Sequence, residues 1–184
     1  MNTMPLYESS DSTGLISLKE LCEGKLEPAM LEEVDLKKIA YLIIRGGWPE
    51  NINVDSDSAH IMPRAYMNNI IKENLNKLDD NIEYNQHKTT LLLKSLARNE
   101  STTVSDKKLL DDIIENDNES MSRNTIAKYL ESLNRLFVLN NQMPFSTNIR
   151  SSLRVKQMEK RHFSDSAMAC AMLNITQQKL INDL

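Results

Sequence analysis

Glycine is scarce: among 184 residues only Gly14, Gly24, Gly46 and Gly47 occur, all in the first third. A P-loop needs spaced glycines so that backbone N–H groups can close around phosphates, followed by Lys and Ser or Thr, and no stretch supplies that order. The dinucleotide fingerprint fails for the same reason. The two cysteines, Cys22 and Cys170, lie far apart and lack the spacing of a zinc site or a redox CxxC, so both are expected as buried free thiols. His60, His87 and His162 form neither HExxH nor an i, i+4 pair. No metal ligand and no catalytic residue is expected, and the chain is not expected to be an enzyme.

Other absences narrow the class further. Aromatics make up 5% of the chain against ten methionines, so the core must be aliphatic with Met filling gaps. The longest apolar stretches, Ile39–Ile44 and Ala167–Leu173, are too short to span a bilayer. No basic segment followed by an apolar run opens the chain. The expected location is cytoplasmic, with no membrane role. The net charge is −4, whereas a dedicated nucleic-acid binder carries a basic footprint. Any such role must rest on local patches.

What the sequence does have is helical periodicity. In Ser122–Leu139, Ile126, Tyr129, Leu130, Leu133, Leu136 and Phe137 recur at spacings of three and four, one face of a 3.6-residue period. Ser122 can cap this helix, and Arg123, Asn124 and Lys128 project from its first turns on the other side. Two readings fit: the recognition helix of a helix-turn-helix, or an amphipathic core helix with a solvated polar face. Upstream, Ser105 caps a helix over Asp106–Ile114, an acidic turn spans Glu115–Glu119, and a supporting helix runs from Gln86 to Arg98. That is the order of a winged-helix or helix-turn-helix unit.

Earlier in the chain, a polar arm ends at Gly14. Ser17-Leu18-Lys19-Glu20 has the form of a capping box, and Asp35 starts a helix that stops at Gly46-Gly47-Trp48-Pro49. Val34 and Ile39 are placed as a hydrophobic staple. Asn51–Ser58 is a polar loop. From about Asp57 to Leu78 an apolar series that begins at Ile61 predicts a long helix in which Pro63 is either a kink or the true first turn. After Leu139, Arg150, Arg154, Lys156, Lys160 and Arg161 stand against the single acid Glu159 between Ile149 and Phe163, where apolar and polar residues alternate. A β wing with phosphate-facing cations fits this stretch, and so does a solvated strand pair. Ser164 or Asp165 caps the helix Ala167–Leu173, and a last one starts near Thr176. The expected fold class is mainly α, a helical bundle with a winged-helix-like unit. Its divisions are an arm at 1–16, helical residues 17–84, a winged-helix-like domain at 85–148, and a basic strand region with final helices at 149–184.

Five motifs in register carry a resemblance: Leu6-Tyr7-Glu8-Ser9-Ser10-Asp11-Ser12, Arg45-Gly46-Gly47-Trp48-Pro49, Ser95-Leu96-Ala97-Arg98-Asn99, Thr125-x-x-x-Tyr129-Leu130-x-x-Leu133 and Lys160-Arg161-His162-Phe163-x-Asp165. Together, from about Met4 to the last residue, they resemble the uncharacterised region that follows the ATPase core in bacterial and archaeal predicted AAA-superfamily ATPases. The resemblance implies a preceding core domain with the Walker motifs, so that ATP and Mg belong to that domain and no cofactor to this chain. It also implies a following lobe similar to restriction-endonuclease folds, with a Glu and an acidic-x-Lys constellation. Asp165 matches the family's motif Asp, but a lone Asp at such a junction is a helix cap before it is a ligand. Ser166, and the lack of a glycine in the turn after it, depart from many members.

The expectation is therefore a non-catalytic binding and coupling module of an AAA-type ATPase. It would contact nucleic acid through Arg123, Asn124, Lys128, Arg150, Arg154, Lys156, Lys160 and Arg161. The alternative is a protein-interaction domain with no nucleic-acid role, since fold does not determine function. Nothing in the sequence sets the oligomeric state.

Overall fold

The computed structural model describes residues 3–25, 30, 33–78, 84–145 and 157–182. They are mainly helical. α1 (Leu18–Cys22) starts where Ser17 accepts from the Glu20 N–H, and Gly24 follows it at φ +70°. Cys22 is exposed there, contrary to the expectation of a buried thiol, because this short helix buries no residue; Cys170 is buried. α2 (Leu36–Arg45) is capped by Asp35, whose carboxylate accepts from Lys38 N–H at 3.0 Å. Ala40 and Ile44 turn inward. Val34 and Ile39, the expected staple, are both exposed.

A 3-10 turn at Pro49–Asn51 leads through a loop to α3 (Ile61–Asn69), which continues through a π-helical turn (Ile70–Asn74) into α4 (Leu75–Leu78). Pro63 lies in the first turn, where its missing N–H has no helical partner to lose. Trp48, the lone tryptophan, packs its ring against Tyr66 at 4.8 Å between centroids.

α5 (Gln86–Arg98) is the central element. Leu91, Leu92, Leu93, Leu96 and Ala97 are buried on several sides of it, because α6 (Asp106–Asp117), the π turn and α8 (Ser166–Met172) all pack on it. α6 runs one turn further than its apolar pattern predicts and ends at Asn118 in the left-handed region. α7 (Arg123–Arg135) begins at the Ser122 cap, which accepts from Thr125 N–H at 3.1 Å. Its inner stripe of Ile126, Tyr129, Leu130 and Leu133 is buried as the spacing predicts. Phe137 is the exception: it lies past the helix end at φ +56° and is exposed.

Beyond α7 the backbone turns extended. Antiparallel bridges join Leu139 to Phe163 and Gln142 to Lys160, and on the other side of that second segment Thr102 pairs with Arg161. Among the described residues these remain isolated bridges. α9 (Gln177–Asn182) closes the chain against α2. One buried cluster runs from Met67 through α5, α6 and α7 to Phe163 and Met172, so a continuous core joins residues on both sides of positions 84 and 148. A smaller cluster of Ile44, Ala59 and Cys170 seats α2 on α8. Among the described residues no helix is long and apolar enough to cross a membrane.

Candidate functional site

Two places carry the residues singled out in the sequence. The first is the polar face of α7, where Arg123, Asn124 and Lys128 are exposed together with Glu131 and Arg135. Lys160 is exposed as well, its backbone N–H and C=O both bonded to Gln142. Arg161 does not join them. Its side chain is buried, donating from Nε to the Val104 carbonyl at 3.0 Å and from Nη2 to Asp106, so it ties the 160–163 segment to the start of α6. As a contact to phosphate it is corrected to an internal ion-pair partner. Arg150, Arg154 and Lys156 lie outside the described residues. Of the acids near α7, Asp112 and Asp117 face away toward Arg98, which donates from Nε and Nη2 to Asp112 and from Nη2 to Asp117 at 2.8 Å.

The second place is a junction that sequence reasoning did not find. Arg45, the last residue of α2, is buried; its guanidinium donates to its neighbour's carbonyl (Gly46) at 3.1 Å, to Asp11 Oδ2 at 2.6 Å and to Ser9 Oγ at 3.2 Å. Burial alone would raise the Asp11 carboxyl. The hydrogen bonds from Lys38, Ser9 and Arg45, with the Arg45 charge, more than reverse this and hold it at about 2. Next in the chain, Gly46 (φ +65°) turns the backbone, and a Cβ there would collide with Asp165 and Ala167. Gly47 lies against the Met4 backbone, which donates its N–H to the Gly47 carbonyl at 3.0 Å. Gly47 N–H in turn donates to Asp165 Oδ2 at 2.7 Å, while Asp165 Oδ1 accepts from Ala167 N–H and caps α8. The capping role expected for Asp165 is what the geometry shows.

The same knot extends further. Asn51, expected in a polar loop, is buried and donates to the carbonyls of Arg45 and Ala59, which fastens the turn after α2. Glu100, just past the Ser95–Asn99 motif, accepts from Phe163 N–H at 3.0 Å and lies 3.1 Å from His162 Nδ1. Four of the five motifs quoted above therefore meet through hydrogen bonds or at adjacent residues. The fifth is fastened at the other end of α5: Tyr129 Oη accepts from Asn85 N–H at 3.0 Å, and Tyr84 Oη and Ser132 Oγ share a bond. The signal that could have found the junction was the pairing of consecutive glycines after a helix-ending Arg with acids far away in sequence.

Beside the junction lies a groove of about 970 Å³ lined by Leu6, Leu15, Val34, Ile39, Leu42 and Ile43, with Asp11 and Asp165 also in its lining. Among the described residues no three His, Cys, Asp or Glu side chains gather to hold a metal ion.

The family model of a domain of unknown function, DUF8612, matches residues 36–179. The chain belongs to this family. No curated protein and no solved structure matches it. The DUF8612 segment opens at the first residue of α2 and ends within α9. It thus contains Arg45, both junction glycines, Asp165 and the whole of α5 to α7, while the arm that supplies Asp11 and Met4 precedes it.

Proposed function

We propose that this chain is a non-catalytic binding and coupling module of an AAA-type ATPase, with residues 85–148 forming a winged-helix-like unit, and the basic stretch after it a wing, that contacts nucleic acid through α7. The observation that carries the coupling part is the clamp of Arg45 on Asp11. The arm that would join a preceding ATPase core is tied by a buried ion pair to the end of α2, then through Gly47 and Asp165 to α8, and α8 packs on α5. A pull on the arm is thereby delivered to the helix against which α6 rests.

The winged-helix reading is supported by chain order. Three helices are followed by two segments joined by isolated antiparallel bridges at 139–142 and 160–163, and Thr102, from between the first and second helices, is bridged to Arg161. The contact surface is Arg123, Asn124 and Lys128, joined by Lys160; Arg150, Arg154 and Lys156 belong to the same proposal. The test is fluorescence anisotropy of a labelled duplex DNA with the whole chain between 50 and 200 mM salt. Binding should weaken steeply with salt, because each neutralised phosphate releases counterions, and the double change Arg123→Ala, Lys128→Ala should reduce the slope by about two.

The second reading, a protein-docking domain, is favoured by the apolar groove beside the arm and the net charge of −4. Absence of DNA binding, or binding indifferent to salt, counts against the nucleic-acid reading and leaves this one standing.

A further inference from the structure

We propose that the cleft between the π turn and the first turns of α5 binds the phosphate groups of a compact phosphorylated small molecule. The cleft holds about 410 Å³, within the size of small-ligand sites. Its lining includes Arg64, Lys72, His87 and Lys94 and no carboxylate. Composition does not explain that gathering, because acids outnumber Lys and Arg in the chain by 26 to 22.

Three further features point to an anion. Arg64 Nε is buried with no hydrogen-bond partner among the described residues, and Arg64 lines the cleft. Among the same residues Arg64, Lys72 and Lys94 have no carboxylate partner, and Glu73, beside Lys72 on the π turn, is held by Lys77 at 2.7 Å instead. Gln86, His87 and Thr90 line the cleft from the first turns of α5, a 13-residue helix whose N-terminal dipole end favours negative charge. Lys72 itself sits in a π-helical turn, a departure from α geometry that recurs at functional sites. The opposing charge is Glu119, 3.7 Å from His87 Nε2 and half exposed.

A concave pocket of this size suits one compact polyanion better than the spaced phosphates of a duplex, which need an extended surface. The site is separate from the α7 residues of the DNA proposal, so the two can fail independently.

The experiment is isothermal titration calorimetry of the whole chain at 0.15 M salt with inorganic pyrophosphate, with ATP and with a short duplex DNA. Expected is saturable one-to-one binding of pyrophosphate, alone or as part of ATP. The double change Lys72→Ala, Lys94→Ala should weaken it at least about tenfold, since each lysine donates charge-assisted hydrogen bonds, with the thermal midpoint unchanged. Arg123→Ala, Lys128→Ala should leave it as it was. If neither pyrophosphate nor ATP binds, or binding survives loss of both lysines, the proposal is wrong. DNA binding that requires Lys72 and Lys94 without any pyrophosphate binding overturns it too, and assigns the cleft to nucleic acid.

Discussion

Asp165 holds Gly47 across 118 residues of sequence: one carboxylate oxygen accepts the Gly47 N–H at 2.7 Å while the other accepts the N–H of Ala167. An asparagine at this position has one acceptor oxygen and one amide NH₂, so it can satisfy one of the two N–H groups and must face the other with a donor. Asp165→Asn should therefore cost about 1–3 kcal/mol, the usual penalty for a buried donor left unpaired. Urea unfolding is the measurement, with a lower midpoint at unchanged slope. A variant as stable as the parent would show that the carboxylate is not there for the fold, and would reopen a chemical role for it.

The Asp11–Arg45 pair makes a prediction about acid. Asp11 is held at about 2 against an ordinary value of 3.8, so the folded state binds its proton less readily than the unfolded chain. The contribution of a group depressed in this way is fully present above about pH 4 and is lost as pH falls from there toward 2. At neutral pH, Asp11→Asn leaves Arg45 buried without its counter-charge and should cost about 3 kcal/mol. The gap between parent and variant should then shrink by about 2 kcal/mol between pH 4 and pH 2, because the parent loses in that window what the variant never had. Paired denaturation curves across that range give the answer; a gap constant with pH would mean the cost lies in packing.

How much of this was legible in the sequence follows from the range of the forces involved. α5 stands where apolar spacing places it, and α7 where apolar spacing and the Ser122 cap place it, because both signals act within a few residues. The inner stripe of α7 was legible for the same reason. Arg161 was not: it sits in a run of cations, and only the approach of Val104 and Asp106, more than fifty residues earlier, turns it inward. Asn51 was hidden because a polar residue after a turn looks solvated unless two carbonyls converge on it. Phe137 followed the stripe in spacing but not in space, since the helix ends before it. The junction of Arg45, Gly47 and Asp165 has no period at all.

Arg98 joins α5 to the C-terminal half of α6, reaching Asp112 near its middle and Asp117 in its last turn. An acid in the last turn of a helix meets the negative end of the dipole, so Asp117 needs that partner. Lysine offers a single ammonium in place of a planar fork and cannot serve both carboxylates in the same geometry. Arg98→Lys should cost about 1 kcal/mol, a modest figure because all three side chains keep some contact with solvent. The loss should be local. Hydrogen exchange should quicken at the amides of Glu115 to Asn118 more than in α5, and uniform quickening across both helices would contradict the assignment.

α7 carries the clearest contrast between a stabilising face and a free one. Leu133 is completely buried within the main core cluster, so Leu133→Ala removes methyl groups from a packed site and leaves a cavity, at a cost of about 2–5 kcal/mol. Tyr129 is nearly as buried, and its hydroxyl also accepts the Asn85 N–H, so Tyr129→Ala belongs in the same range while Tyr129→Phe should cost only about 1 kcal/mol. Arg123 is exposed on the first turn, and Arg123→Ala should change stability by less than about 0.5 kcal/mol. Thermal or urea unfolding of the four variants side by side measures all of this. If Arg123→Ala proved as costly as Tyr129→Phe, Arg123 would be a structural side chain, and the DNA-contact proposal would lose the residue at the front of its helix.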